Sequence, residues 1–325
     1  MRRKSNNLKN SIPSPLLRAL RNQKYHMVGN HSAVKRCKWL NEALTRNRAC
    51  YKQKFYGIKS HQCIQMSPSV FCCNQECLFC WRAQEGDLKI KYNLNKIPLQ
   101  DQPEEIIKGL FKAQSSIISG YAGNNNVDWR KLSEAARPKH VAISLTGEPT
   151  LYEFLGELLE LLHKKGLTSF LVSNGTLPSR LLDLIEEPSQ LYISLCAPNR
   201  EVFRRLCKPK KPGLWGRLNE TLNFLSSFNC PTAIRITLVE GYNMENIEEY
   251  AKIIDKACPT YIETKAYMHI GFSNLRLDYH RMPKYDRIQE FSSNLSKKTG
   301  YKIIDQSRDS RVVLLSKREK PIRFN

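Results

Sequence analysis

Short apolar runs alternate along this chain with longer stretches in which apolar residues recur at helical spacing. The apolar runs predict six strands, at residues 62–66, 141–146, 169–173, 191–195, 233–239 and 261–266. The stretches between them predict helices near residues 104–119, 151–164, 178–186, 214–227 and 246–256. Strands that alternate with helices are typical of a parallel α/β sheet. Because six units are fewer than the eight of a full barrel, we expect a partial (βα)6 TIM-like barrel.

The residues outside these units predict two further parts. Residues 1–60 are a basic N-terminal extension, with a short amphipathic helix expected at 33–46. Residues 61–281 hold the barrel, and residues 282–325 are a C-terminal accessory element, predicted as a helix followed by strands at 301–304 and 312–315. The basic N-terminus has no apolar run behind it, and no window reaches the ~18 apolar residues of a membrane span. We therefore expect a cytoplasmic protein.

Positive charge is concentrated at the start of the chain. The formal net charge is +22, and residues 1–63 hold fifteen Lys or Arg against one acid, Glu42. Clustered cations favour a polyanionic partner, because binding to phosphates releases counterions. A solvated basic tail is the simpler interpretation for residues 1–15. It does not suit the later positions, where aromatic and aliphatic residues are interleaved.

Polar loops follow three of the predicted strands. Gly147-Glu148-Pro149-Thr150 follows the second strand, Asn174-Gly175-Thr176 the third, and Ala197-Pro198-Asn199 the fourth. Active sites of barrels lie at the C-terminal ends of the strands. Such loops also end strands for purely structural reasons. Their shared position on one face of the sheet is what predicts a site.

Seven of the eleven cysteines fall between positions 37 and 80. An odd number of cysteines in a chain of this kind argues against a disulfide framework, and dense clustering favours metal binding. The other four cysteines are predicted to be ordinary small buried residues. They are Cys196, Cys207, Cys230 and Cys258.

Cys73, Cys77 and Cys80 form a C-x3-C-x2-C motif. Three thiolates on a four-iron cluster leave one iron open for catalysis. Cys72 with Cys77 and Cys80 would instead match a plant-type ferredoxin, but that class needs a fourth cysteine and a much smaller chain. A zinc site is a second alternative, and it lacks a downstream Cys or His pair. We assign Cys72 no ligand role.

Cys37, Cys50 and Cys63 form an evenly spaced C-x12-C-x12-C pattern. On one continuous helix each interval would separate two thiols by ~20 Å, so a shared site requires the chain to fold back twice. The aromatic segment 51–57, which ends in Gly57, would allow one reversal. On the residues alone, a shared metal site and three unrelated cysteines remain equally acceptable.

The motif Cys73/Cys77/Cys80 resembles that of the radical SAM superfamily. Phe79 stands before its last cysteine, and Gly147-Glu148-Pro149 resembles the family's GGEP motif with Thr146 in place of the first glycine. The resemblance implies a 4Fe–4S cluster on the three thiols and S-adenosylmethionine (SAM) beside it. Gly147 and Glu148 would hold its methionyl amino group, and Phe79 would lie near its adenine. Asn174 and Ser194 would contact its carboxylate and ribose, although both could simply cap strand ends.

The two cysteine patterns together resemble the 4-demethylwyosine synthases. The resemblance runs from Cys37 to about Met282 and includes Lys265-Ala266-Tyr267-Met268-His269. It implies a second 4Fe–4S cluster on Cys37, Cys50 and Cys63, with pyruvate bound there and Lys52 forming a Schiff base. The implied reaction joins pyruvate to N1-methylguanosine of tRNA-Phe, next to the anticodon, in wyosine biosynthesis. It is the reaction of a carbon–carbon lyase.

The same resemblance implies a separate electron donor, such as flavodoxin or ferredoxin, because eukaryotic members carry a flavodoxin-like domain that this chain has no room for. A Schiff base requires a neutral amine, and crowding by Arg46, Arg48 and Lys54 is predicted to lower the pKa of Lys52.

Two other functions fit the residues. One is a radical SAM RNA methyltransferase with an auxiliary cluster, and the other is a non-catalytic RNA-binding protein that holds zinc.

Overall fold

The computed structural model describes residues 12–89 and 96–324, so the first eleven residues of the predicted extension lie outside it. The strands are β1 Tyr25–Val28, β2 Ser32–Lys35, β3 Cys63–Ser67, β4 His140–Ile143, β5 Thr168–Ser173, β6 Gln190–Ser194, β7 Thr232–Leu238, β8 Tyr261–Ala266, β9 Lys302–Ser307 and β10 Val312–Ser316. The helices are α1 Ser14–Asn22, α2 Lys38–Thr45, α3 Tyr51–Tyr56, α4 Pro103–Ser119, α5 Trp129–Ala135, α6 Leu155–Lys164, α7 Pro178–Leu182, α8 Arg200–Val202, α9 Leu214–Asn223, α10 Ile247–Ala257 and α11 Tyr285–Thr299.

All described strands belong to one sheet, in the order β1-β2-β3-β4-β5-β6-β7-β8-β10-β9. Strands β3 to β8 are parallel and follow one another in chain order, which confirms the predicted partial barrel. At the open edges, β2 pairs antiparallel with β3, and β10 pairs antiparallel with β8. The helix and two strands predicted near the C-terminus are also confirmed, as α11, β9 and β10.

The predicted helix at 33–46 is wrong in its first part. Residues Ser32–Lys35 form β2, and the helix α2 begins only at Lys38. Ala33 and Val34 pair with Ser67 and Met66 of β3, so pairing across the sheet overrides the local helical pattern. Strand β1 and helices α1, α3, α5 and α8 were not predicted. No helix in residues 12–89 and 96–324 is long and apolar enough to cross a membrane.

The sheet separates two hydrophobic cores. Ile64 and Met66 of β3 point outward into the large core beneath the helices. Phe170 and Tyr192 point to the concave side, where they pack with the aromatic residues of α3. Helix α3 therefore fills the lower part of the barrel interior, and the positions of Cys50 and Lys52 follow from that.

Candidate functional site: two cysteine groups in the barrel

The first cysteine group lies on the loop after β3, at the C-terminal edge of the sheet. The indole of Trp81 donates to Leu145 O at 2.8 Å and ties the loop to the end of β4. On its other side the loop pairs with residues 206–208, since Glu76 N donates to Lys208 O at 3.0 Å and Leu78 N to Leu206 O at 2.9 Å. The three cysteines are therefore held on a fixed backbone.

Arg276 closes the same loop from a segment distant in sequence. Its guanidinium donates to Leu78 O at 3.2 Å, to Cys80 O, and to the carboxylate of Asp87. Nothing in the local sequence pattern indicates a role for Arg276, because residues nearly two hundred positions apart meet only in the folded chain. It is a positioning residue for the cysteine loop.

The chemistry of this loop fits an anionic iron–sulfur cluster. Burial raises the pKa of Cys73 to about 12, and a hydrogen bond with Cys207, followed by burial, raises the pKa of Cys77. The cation Arg82 is almost fully buried nearby and opposes both shifts. Three soft thiols beside a buried cation suit a cluster whose net charge is negative.

In residues 12–89 and 96–324, no three His, Cys, Asp or Glu side chains gather around one metal-ion position. A four-iron cluster does not require such a group, because iron and sulfide separate its thiolates. Cys72 is fully buried, and its thiol donates to Lys96 O at 3.3 Å.

Only glycine fits at position 147, because the backbone there is left-handed and two carbonyl groups lie close to it. Its φ is +75°, and a Cβ there would lie 1.8 Å from Ser69 O and 2.8 Å from Cys72 O. The next amide, Glu148 N, donates to Cys72 O at 2.8 Å. The Gly147–Glu148 turn is therefore docked directly on the chain that leads into the cysteine loop.

The carboxylate of Glu148 is buried and bonded within the protein. It accepts from the Thr150 hydroxyl at 2.6 Å, from the Ser173 hydroxyl at 2.8 Å and from Asn174 N at 2.7 Å. Burial raises the pKa of Glu148, and these donors oppose the rise. Glu148 thus joins the ends of β4 and β5, and its predicted contact with the SAM amino group stays a prediction.

The other predicted cofactor residues lie around the same edge of the sheet. The Asn174 amide donates to Asn74 Oδ1 at 2.8 Å and lies 3.9 Å from Cys73 Sγ. Ser194 ends β6, one strand further along. Phe79 is half-buried against the outer core. Asn174, Glu148 and Cys73 are therefore brought together, with Ser194 on the neighbouring strand.

We expect Gly147→Ala to lower the free energy of unfolding by roughly 3 kcal/mol or more, because the added Cβ overlaps two backbone carbonyls. Gly166→Ala is the matched control, since Gly166 also has a positive φ, +72°, but nothing lies within 4 Å of its added Cβ. That control should cost only about 1 kcal/mol, the penalty of the left-handed conformation. Urea unfolding measures both. Equal losses in the two variants would show that the close approach at Gly147 does not matter.

The second cysteine group lies at the lower end of the barrel. Cys37 precedes α2, Cys50 precedes α3, and Cys63 begins β3. The chain reverses after α3 at Gly57, which has a φ of +78°. Burial, and then the charge of Cys37, raise the pKa of Cys50 and of Cys63 to about 12. The chain thus folds back as the even spacing requires, and the three thiols lie within electrostatic range of one another.

Lys52 lies among these thiols and is 6 % exposed. Its amine is 4.2 Å from the ring centre of Phe170 and 4.5 Å from that of Tyr192. Among the described residues, it has no hydrogen-bond partner. Burial, followed by the charge of Arg235, lowers the pKa of Lys52 to about 8.

The predicted cause of this shift was wrong. Arg46, Arg48 and Lys54 have side chains 66, 42 and 55 % exposed, and they pair with Glu42, Asp309 and Asp305. Solvent and these counter-charges screen them from Lys52. The amine is instead perturbed because α3 carries it into the barrel.

A second lysine faces the same thiols. The Lys265 amine donates to Ser310 O at 2.8 Å and lies 4.8 Å from the ring centre of Tyr51. Burial, and then Arg235, lower the pKa of Lys265 to about 8, whereas Cys50 and Cys37 oppose the shift. Three partly buried thiols, the buried amine of Lys52 and the partly buried amine of Lys265 make a site that suits an anionic cluster and an anionic ligand.

A buried ionic network anchors α3. Glu263 is 0 % exposed and accepts from Tyr56 OH at 2.7 Å, from Tyr51 OH at 3.2 Å and from Arg235 at 2.8 Å. Arg235 also donates to Tyr51 OH at 2.8 Å. The predictions missed this network, although charges inside predicted buried strands were a usable signal. It fixes the helix that carries Cys50 and Lys52.

The two cysteine groups lie at opposite ends of β3. Cys63 begins the strand and the loop with Cys73 follows its end, so the five residues of β3 separate them. Five residues span about 13 Å between the first and last Cα. Groups bound at the two ends would face one another across the barrel interior.

All four scattered cysteines were predicted to be buried, and this prediction is wrong for two of them. Cys196 and Cys207 are buried, Cys230 is partly exposed and Cys258 is exposed. Cys258 follows α10 in a left-handed conformation, which places it at the helix end rather than in the core.

Known proteins resemble this chain along nearly its whole length. The profile of the Radical SAM superfamily matches residues 67–254, and that of Wyosine base formation matches residues 256–317. The S-adenosyl-L-methionine-dependent tRNA 4-demethylwyosine synthase of Pyrococcus abyssi is 45% identical over 94% of this chain and 89% of its own length. That of Methanocaldococcus jannaschii is 43% identical, over 96% and 98%.

A solved structure of TYW1 with a lysine-pyruvate adduct bound superposes with a TM-score of 0.86 at 40% identity, covering 96% of this chain and 98% of that one. Sequence and fold therefore agree along nearly the whole chain. The protein belongs to the radical SAM superfamily and, within it, to the S-adenosyl-L-methionine-dependent tRNA 4-demethylwyosine synthases.

Proposed function

We propose that this enzyme joins pyruvate to N1-methylguanosine of tRNA-Phe, next to the anticodon, and forms 4-demethylwyosine as a carbon–carbon lyase. The observation that carries the proposal is Lys52, a buried amine without a hydrogen-bond partner among the described residues, beside three thiols. A similar fold that binds a lysine-pyruvate adduct supports it.

Membership of the superfamily brings SAM and one four-iron cluster. We assign that cluster to Cys73, Cys77 and Cys80, and a second one to Cys37, Cys50 and Cys63. When bound, cluster and SAM supply the one-electron chemistry that removes hydrogen from an unactivated methyl group. Around SAM, the proposed contacts are Phe79, Gly147, Glu148, Asn174 and Ser194. Trp81 and Arg276 hold the loop with Cys73, Cys77 and Cys80 in place, and Glu263 holds helix α3 in place. The reacting groups therefore stay aligned.

Lys52 is the proposed catalytic residue at the second site. Its neutral amine attacks the keto carbon of pyruvate, a C–N bond forms, and the keto oxygen leaves as water. The flanking rings of Phe170 and Tyr192 restrict the amine to one direction. Lys265 lies near the same thiols, and its N–H groups can donate hydrogen bonds to the pyruvate carboxylate.

The barrel shields the reaction from solvent. Tyr51, Phe55 and Tyr56 of α3 close its lower end, and all three are buried. Water is therefore excluded from a reactive carbon species that forms above these three side chains. The target base must leave its stack to enter, and basic residues of the N-terminal part would hold the tRNA phosphates. Electrons would come from a separate protein such as flavodoxin or ferredoxin.

An anaerobic assay with SAM, a reductant and methylated tRNA-Phe tests the proposal. Pyruvate labelled at C2 or C3 should transfer its label to the tRNA, and pyruvate labelled at C1 should not. Unmethylated tRNA-Phe is the control substrate and should gain no label. If SAM is consumed on the methylated tRNA while no pyruvate carbon enters it, the proposed function is wrong.

A further inference from the structure

Cys207 lies directly opposite Cys77 in a short antiparallel pairing. Glu76 N donates to Lys208 O and Leu78 N to Leu206 O, and Gln75 forms a bridge with Pro209. These pairs share one register, which places residue 77 across from residue 207. A cysteine of the proposed SAM-cluster loop therefore faces a cysteine with no assigned role.

The flanking hydrogen bonds define the geometry of this pair. They bracket Cys77 on one side and Cys207 on the other, so the two residues lie opposite each other where the loop meets the end of the π-helical turn. A disulfide requires a Cα separation of about 4.4–6.8 Å. The bracketing hydrogen bonds bring the facing backbones close enough for a bridge, and each thiol lies near enough to shift the pKa of the other, while the Cys77 thiol donates to Gln75 Oε1 at 3.3 Å.

The two thiols differ in access. Cys207 is 3 % exposed and ends a π-helical turn, Phe203–Cys207, whereas Cys77 is partly exposed. The residue after the turn, Lys208, has a φ of +44°, which starts the strand-like pairing. A reagent from solvent therefore reaches Cys77 first, and the less accessible Cys207 lies behind it.

We propose that Cys77 and Cys207 are a redox modification site, which a small-molecule disulfide converts to a cystine when the chain lacks the cluster. The Cys77 thiolate attacks the reagent, forming a mixed disulfide and releasing one thiolate. The Cys207 thiolate then displaces the second, so two protein thiols are oxidised and one reagent disulfide is reduced to two thiols. The cystine withdraws Cys77 from iron. That competition rests on the proposed ligand role of Cys77, whereas the cystine itself does not.

The experiment uses the full chain, once loaded with iron and sulfide and once stripped by a chelator under reducing conditions. Each sample is exposed anaerobically to oxidised glutathione, alkylated, digested and mapped by mass spectrometry. In the stripped chain we expect the Cys77 and Cys207 peptides to be joined, with a loss of two hydrogen atoms. Cystines that join Cys77 to Cys73, Cys80 or Cys196 instead, or a mixture of linkages, would overturn the proposal.

Two variants separate the consequences. After oxidation, the stripped wild-type chain should regain about four iron atoms fewer than its reduced counterpart, the content of one cluster. Cys207→Ser has no second thiol to displace the glutathione, so its Cys77 peptide should carry one glutathione and no cystine, and Cys196→Ser, which removes another buried thiol near Cys77, should form the cystine as the wild type does. A Cys207→Ser chain in which Cys77 is instead joined to another protein cysteine would refute the pairing. If the cystine forms equally in the loaded chain, Cys77 is not a ligand and the assigned cluster site fails, while the modification site stands.

Discussion

Lys52→Met is expected to stop the transfer of pyruvate carbon to tRNA while SAM is still cleaved to 5′-deoxyadenosine. Methionine has nearly the same length and fills the space between Phe170 and Tyr192, but it has no amine to attack the keto carbon. We expect transfer to fall by at least about a thousandfold, the scale on which removal of a nucleophile acts. Stability should not suffer, since the change removes a buried amine without a hydrogen-bond partner among the described residues.

Labelled pyruvate and chromatography of 5′-deoxyadenosine measure the two outcomes separately. Lys54→Met is the matched control. It removes a lysine two residues away on the same helix, but that side chain is 55 % exposed and pairs with Asp305. The control should keep wild-type transfer. If Lys52→Met also transfers pyruvate carbon at the wild-type rate, the Schiff base is not part of the reaction.

The second large effect distinguishes the two cysteine groups. Cys77→Ala should lose both 5′-deoxyadenosine and tRNA product, because its loop is the proposed site of SAM cleavage. Cys50→Ala should lose only the tRNA product, because its thiol lies at the pyruvate end of the barrel. Each variant should hold about four iron atoms fewer than the wild type, the content of one cluster.

Iron analysis and the two product assays decide this prediction. Cys230→Ala is the control, since Cys230 is partly exposed and belongs to neither group. It should retain full iron content and both products. Identical losses in Cys50→Ala and Cys77→Ala would contradict the separate roles of the two cysteine groups. A fully active Cys50→Ala would refute the proposed second cluster.

Much of the architecture could be predicted because it depends on local spacing. The six parallel strands follow from apolar runs, and the C-x3-C-x2-C loop follows from three cysteines within eight residues. Strand β2 was predicted as helix because its neighbours in sequence suit a helix, whereas its partner Met66 lies more than thirty residues away. Pairing with a distant strand leaves no periodic signal in so short a segment.

The same contrast holds within the site. The spacing of Cys73, Cys77 and Cys80 could be predicted from the sequence, whereas the surroundings of Lys52 could not. Sequence alone determined the ligand spacing, the order of strands and helices, and the loops that reach the C-terminal edge of the sheet. Only the tertiary structure decided that Lys52 is buried, that Arg235 and Glu263 surround it, and that Cys207 faces Cys77. The physical reason is that burial and charge depend on partners such as Tyr51 and Glu263, which meet across 212 positions of the chain. A pKa is set by what surrounds the group after folding.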